Sequence, residues 1–416
     1  MKPLPPDFRS PDFLRAHVLQ TMAFYDERCQ DPSGGFFHFF KDDGTVYDRR
    51  TRHLVSSTRF VFNFAMAARH FPGHPRAPAW REAVAHGLDF LQRVHRDPAT
   101  GGYAWLLDWH DSEKTVLDGH QYAYGLAFVL LAQAHALMAG HEAARPLIAE
   151  TFTLMEQRFW EPAHQLYADE AQADWTLLPY RGQNANMHAC EALLAAHEAT
   201  GEARYLERAA AVARSVTEHL AEQSHGLIWE HYGADWRADR QFNRGNTTDI
   251  FRPWGFQPGH HAEWAKLLLT LERAMPEHAD NERLVHRARA LFACAVEHGW
   301  DRQHEGLAYA FAPDETPGHD GRYAICDGDK YFWVQAESLA AAAALAERTL
   351  EGGYWDWYDR LWAYAWEHFV DHRYGAWYRI LSPDNKKLGD DKSPAGKTDY
   401  HTMGACYEVI AAIERC

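Results

Sequence analysis

The sequence predicts an all-α protein folded as an (α/α)6 barrel: six helical hairpins forming an inner and an outer ring of helices, with short β-hairpin-like turns between repeats. Three observations carry this expectation. One turn pattern recurs six times, the intervals between turns each hold two helix-like stretches, and those stretches alternate between Ala-rich and charged.

The recurring turn is an acidic residue, a few turn residues that usually include Gly, then aromatics. Its copies start at Asp31, Asp97, Glu161, Asp301 and Asp371, with Ser224 in place of the acid in the fourth repeat. Measured at Gly35, Gly102, Gln165, Gly226, Gly306 and Gly375, the steps run from 61 to 80 residues with a mean of 68, so six repeats fill the 416 residues. Within the intervals, apolar residues at i, i+3 and i+4 predict helices over 56–69 and 79–94, then 120–138 and 143–159. The terminal stretches, 11–29 and 400–414, form the sixth pair only by meeting each other, which closes the array into one domain spanning 1–416. Stretches such as 186–196 and 333–344 are rich in Ala and nearly uncharged after their first turns, as an inner ring requires. Their partners, such as 205–214 and 282–292, carry a charged face and belong outside. The five alanines 340–344 fit close inner packing.

Composition narrows the function. With 58 Asp and Glu against 42 Lys and Arg, the net charge is −16, which repels phosphate backbones and excludes nucleic acid as a partner. The 16 Trp and 19 Tyr supply more ring surface than packing usually needs, so an aromatic-lined pocket is expected. The start of the chain lacks an apolar leader, and no window approaches the roughly 18 uncharged apolar residues of a membrane span, so a soluble cytoplasmic protein is expected, with no membrane partner. Six dispersed cysteines without CxxC spacing read as free thiols.

If the six inner helices run parallel, their N-termini meet at one mouth, and the polar residues of their first turns converge. These are Arg59; His120, Tyr122 and Tyr124; Asn184 and His188; His260 and Glu263; Trp333 and Glu337; and His401. Ionisable groups at the start of uncharged Ala-rich helices are costly without a role. Glu263, at i+3 from His260, is placed to set that ring's tautomer; its structural alternative is an ion pair with Arg252. For Arg59 the alternative is a salt bridge to Asp48. The run His260-His261-x-Glu263 contains ligand-type residues, but without HExxH or an oxygen-rich cage no metal site and no cofactor is expected. GxSxG, P-loop and GxGxxG motifs are absent.

With these residues the sequence resembles the N-acylglucosamine 2-epimerase superfamily over essentially its full length. The resemblance is carried by the six repeats, Val55-Ser-Ser-Thr-Arg59, Asn184-Ala-Asn-Met-His188, Pro258-Gly-His260-His-Ala-Glu263-Trp and Thr398-Asp-Tyr-His401. The run from Arg52 through Arg59 to Asn63 is most similar to its aldose-ketose isomerase branch, the D-mannose isomerases. The resemblance implies metal-independent interconversion of D-mannose and D-fructose, extending to D-lyxose and D-xylulose. It makes His260 and His401 the catalytic pair, with Arg59, Tyr122, Asn184, His188, Glu263, Trp333 and Glu337 binding the monosaccharide.

Elementary chemistry agrees with these residue types. Opening a pyranose needs an acid and a base at O5 and O1, removing the C2 proton needs a base of near-neutral pKa, and the enediolate needs a cation where its charge develops. On this reading His401 moves the proton between C2 and C1, and His260 opens the ring. Two histidines on opposite faces would give 2-epimerisation, the mannose, glucose or cellobiose outcome. A glycoside hydrolase on the same barrel would use Glu263 and Glu337 as its two carboxylates. The assembly is expected to be a monomer or homodimer.

Overall fold

A computed structural model describes residues 5–415, except 247, 248, 250, 278 and 317–320. Among the described residues the chain forms twelve α-helices: α1 (Pro11–Tyr25), α2 (Leu54–His70), α3 (Ala77–Phe90), α4 (Ala123–Met138), α5 (Ala144–Arg158), α6 (Gln183–Thr200), α7 (Ala203–Arg214), α8 (Pro258–Ala274), α9 (Asn281–Gly299), α10 (Phe332–Thr349), α11 (Gly352–His368) and α12 (Tyr400–Arg415). The even-numbered helices make the inner ring. Each odd-numbered helix packs outside its neighbour, and α1 packs on α12.

Burial separates the two rings as their compositions require. In α4, 13 of 16 residues are buried, including every position from Gly125 to Ala134, because neighbours surround it. In α7 only Tyr205, Ala209, Val212 and Ala213 are buried, a single stripe at i, i+4, i+7 and i+8. The alanines 340–344 of α10 are all buried, and their small side chains let adjacent inner helices approach closely.

The recurring turns are short hairpins at the end of the outer helices. Their bridges include Gln30 with Phe36, Arg96 with Tyr103, Trp300 with Leu307 and Val370 with Trp377. The tip residue takes a positive φ, from 55° at Gln165 to 89° at Gly226, which explains why five of the six copies use Gly. In the second copy it is Gly101 that has this conformation, not Gly102. Gly102 is needed for a different reason: a Cβ there would strike the Gln121 amide.

A belt of antiparallel pairings circles the mouth and fixes where each inner helix begins. The segment ahead of one inner helix pairs with the segment ahead of the next: His53 with Leu106, Gln121 with Ala171, Gly182 with His231, Phe256 with Phe311, and Tyr331 with Ile380. The last closes on the first through Phe40 and Ser393. The turn acids hold this belt to the barrel through buried cations: Asp31 to Arg52, Glu161 to Arg181, Asp301 to Lys330 and Asp371 to Lys392.

The segment 381–397, long and polar in sequence, is only partly free. Residues 386–390 are exposed, but Asp391–Ser393 is a strand in the belt, and buried Lys397 lies 2.6 Å from Asp399.

Candidate active site

The six inner-helix N-termini converge at the mouth, so residues far apart in sequence become neighbours. His401 is the hub. Its Nδ1 lies 2.6 Å from Oε1 of Glu337, and its Nε2 lies 3.3 Å from Nη2 of Arg59. A carboxylate facing Nδ1 and an N–H donor facing Nε2 define one tautomer, with the proton on Nδ1 and the lone pair on Nε2. Burial, then the charges of Arg59 and His188, pushes the His401 ring well below the usual histidine range, so it is neutral at physiological pH.

Arg59 is held on several sides. Nη1 donates to the Gly396 carbonyl, Nη2 lies 3.2 Å from the Tyr124 hydroxyl, and the guanidinium lies 4.4 Å from the Phe128 ring centroid and 4.8 Å from that of Tyr400. It makes no pair with Asp48, whose carboxylate instead caps the backbone N–H groups of Arg50 and Thr51.

His260 contradicts the sequence reading in one respect. Its Nδ1 lies 2.9 Å from Oε2 of Glu230, not against Glu263. Gln183 donates to the same Glu230 oxygen at 2.8 Å and accepts from Trp264 Nε1 at 2.7 Å. Burial alone would raise the Glu230 carboxyl, but the His260 ring and the Gln183 amide bring it below the usual range. Three residues along a helix is close, but the His260 ring turns toward the start of α6, while Glu263 faces the His188 side. Glu263 does not pair with Arg252 either, since that guanidinium meets Asp169 and Glu170.

Glu263 is 3.8 Å from His188 Nδ1, and neither of its buried oxygens has a hydrogen-bond partner among the described residues. Burial, then the Glu337 charge, raises this carboxyl well above the usual range, so it keeps a proton where ordinary carboxyls have lost theirs. Unpartnered polar atoms at this depth suit a polar ligand. His188 Nδ1 is 2.9 Å from Glu191, and the Tyr400 hydroxyl donates to the other Glu191 oxygen. Burial would raise Glu191, but the His188 hydrogen bond and charge bring it down to about 2.

Trp333 forms a wall between the two histidines, its ring centroid 5.0 Å from His260 and 5.9 Å from His401. Gly259 makes room for it, since a Cβ there would strike the indole. Asn184 stands half-buried at the start of α6 with Oδ1 unpartnered.

Of the tyrosines, Tyr124 reaches Arg59, whereas Tyr122 lies one layer outward against Trp105, with ring centroids 4.4 Å apart. Tyr122 is therefore a rim residue. His120 is farther out still, exposed and bound to Asp118 at 2.8 Å. The sequence reading missed Glu230, Gln183, Glu191, Lys266 and Tyr400. Lys266 had the clearest signal, a lone charge in the otherwise uncharged stretch 264–271 of an inner helix.

Among the described residues, two groups of side chains offer metal-ligand atoms within 4.8 Å of one another: His188, Glu191 and Glu263, and Glu263, Glu337 and His401. Their chemistry does not suit a cation. Most of the donor atoms face one another in hydrogen bonds, Glu337 Oε2 lies 2.7 Å from the Lys266 ammonium, and a guanidinium stands at His401 Nε2.

Comparison with known proteins follows the same outline. A family profile described as N-acylglucosamine 2-epimerase (GlcNAc 2-epimerase) matches residues 35–405. The D-mannose isomerase of Marinomonas mediterranea is 49% identical over 410 residues, covering 98% of this chain and 99% of its own. A crystal structure of a D-mannose isomerase superposes with a TM-score of 0.91 at 49% identity, covering 98% of this chain and 99% of that one. The cellobiose 2-epimerase of Spirochaeta thermophila, at 23% identity and TM-score 0.81 over 100% of this chain and 99% of its own, shares the fold.

Proposed function

Since the chain belongs to the N-acylglucosamine 2-epimerase family, we propose that it is an aldose-ketose isomerase interconverting D-mannose and D-fructose. The likeness to D-mannose isomerases over nearly the full length of both chains supports the substrate. One observation supports the chemistry above all: a neutral, buried His401 with Nδ1 bound to Glu337 and the Nε2 lone pair beside the Arg59 guanidinium.

His401 Nε2 takes the C2 proton of the open-chain aldose and returns it to C1. Arg59, next to that nitrogen, stabilises the enediolate oxygen as its charge develops. His260, held by Glu230, exchanges protons at O1 and O5 during ring opening. Glu263, which carries a proton, donates to a sugar hydroxyl; Asn184, His188 and Trp333 fix the remaining face, with Tyr122 at the rim. Glu337 is committed to His401 and Lys266, which argues against its use as one of two hydrolytic carboxylates. The whole chain acts as one catalytic unit, a monomer or homodimer working on a monosaccharide in the cytoplasm without a metal.

Incubation with D-mannose tests this directly. D-Fructose should appear, extensive dialysis against EDTA should leave the rate unchanged, and His401→Gln should abolish turnover while sugar affinity stays within about tenfold, or ~1.4 kcal/mol. D-Glucose as the sole product would assign the chain to the 2-epimerases instead, with His260 acting on the opposite face.

A further inference from the structure

Lys266 is buried on α8, one turn beyond Glu263. Its Nζ lies 2.7 Å from Glu337 Oε2 and 3.2 Å from the partly exposed Glu408, while the other Glu337 oxygen lies 2.6 Å from His401 Nδ1. One carboxylate thus bridges an ammonium and an imidazole. Packing alone does not explain a charged residue here, because an apolar side chain would fill an inner-helix position at lower desolvation cost.

We propose that Lys266 is a positioning residue for the isomerase reaction: it keeps Glu337 charged, and so locks His401 with its proton on Nδ1 and its lone pair on Nε2. This rests on the isomerase reading above. The surroundings show why such a lock is needed. Glu337 on α10 meets Glu263 from its α8 neighbour and Tyr400, His401 and Glu408 from α12, while His188 and Glu191 of α6 stand beside Glu263 and Tyr400. The balancing cations in this group are Lys266 on α8 and Arg59 on α2, with Tyr124 of α4 bound to the latter. Burial would lower the Lys266 ammonium, but Glu337 and then Glu408 hold it well above the usual range, so it stays charged.

Without that charge, the neighbouring carboxyls favour a proton on Glu337. A neutral Glu337 would donate its O–H to His401 Nδ1, and the ring would then carry its own proton on Nε2. That N–H would face the Arg59 guanidinium, and the nitrogen could no longer accept a proton from carbon. The base would be present but in the wrong tautomer.

Lys266→Met and Lys266→Gln remove the charge, and Lys266→Arg keeps it. With D-mannose at neutral pH, both uncharged variants should lose kcat by roughly 10- to 100-fold, with KM within about threefold of the wild type. The acid limb of their kcat profile should move at least about one pH unit upward, because Glu337 must lose its proton before His401 can act. Lys266→Arg should keep the wild-type limb.

Ring 15N spectra, with His401 assigned by difference against His401→Gln, should show an Nδ1-protonated ring in the wild type and an Nε2-protonated ring in Lys266→Met or Lys266→Gln. An unchanged tautomer together with an unchanged pH limb in a folded uncharged variant overturns the proposal, whatever the loss in rate. If the wild type fails to isomerise D-mannose, the functional reading falls, and the tautomer comparison still decides the role of Lys266.

Discussion

His260 owes its orientation to Glu230, a carboxylate 30 residues earlier in the chain, and this separation decides what its neighbours do. Because Glu230 takes Nδ1, the opposite nitrogen is the one left for the proposed ring opening, and Glu263 is released to hold its own proton. Glu230→Gln keeps the size of the side chain but removes the carboxylate that holds the His260 ring at Nδ1. It should lower kcat/KM by about 10- to 100-fold while the fold and sugar binding persist; a variant with the wild-type rate would detach Glu230 from ring opening. Local spacing in the sequence brought Arg59, His188, His260, Glu337 and His401 to one mouth, because each stands at the start of an inner helix. It could not show Glu230, which lies in the belt segment between the fourth turn and α8, where no helical period applies. The i+3 rule places Glu263 near His260 along the helix but says nothing about which way the imidazole turns.

The helices and the belt between them share one structural device, the buried cation against a turn acid. Lys330 shows it most fully: its Nζ lies 2.9 Å from Asp301, 2.6 Å from the Pro383 carbonyl and 3.1 Å from Asn385, with no exposed surface. Lys330→Met would leave Asp301 without its cation and remove a donor from the Pro383 carbonyl and from Asn385 Oδ1, which would keep only the Tyr364 hydroxyl. Chemical denaturation should show a loss of about 3–5 kcal/mol. The exposed pair Arg9 and Asp359, broken by Arg9→Ala, should cost under about 1 kcal/mol. Equal effects at the two sites would mean that burial does not set the strength of these pairs. The acids of the turns were legible as a repeat, and the cations were not, since Arg52, Arg181 and Lys330 stand in segments too short to show a pattern. Helix boundaries shifted by only a few residues, and the expected helix over 79–94 continues past α3 as a π-turn at Leu91–His95.

Across the whole molecule, buried neutral histidines link stability to pH. Burial lowers His17, His95, His135 and His261 to about 4 and His53 to about 3, from an ordinary value of 6.5. An unfolded chain takes up those protons first as pH falls, so the contribution is complete above about 6.5 and is lost as pH drops toward 4. Each such group removes up to ~1.4 kcal/mol per pH unit in that window. Melting temperature should therefore fall steeply between pH 6.5 and 5, and His135→Leu should make the fall shallower; a flat profile would show that these rings are protonated in the native state.

The closing of the barrel also has a temporal side. The Tyr25 hydroxyl donates at 2.6 Å to Asp399, 374 positions later, and Arg15 meets Glu414, 399 positions later. A ribosome therefore releases five of the six hairpins before the partner of α1 exists, and α12, the helix that closes the ring, brings His401 with it. A nascent chain holds an open, apolar trough for most of its synthesis, exposed to chaperones and to other nascent chains. A chain that stopped before α12 would carry the polar side chains of five inner helices at its mouth and would lack His401.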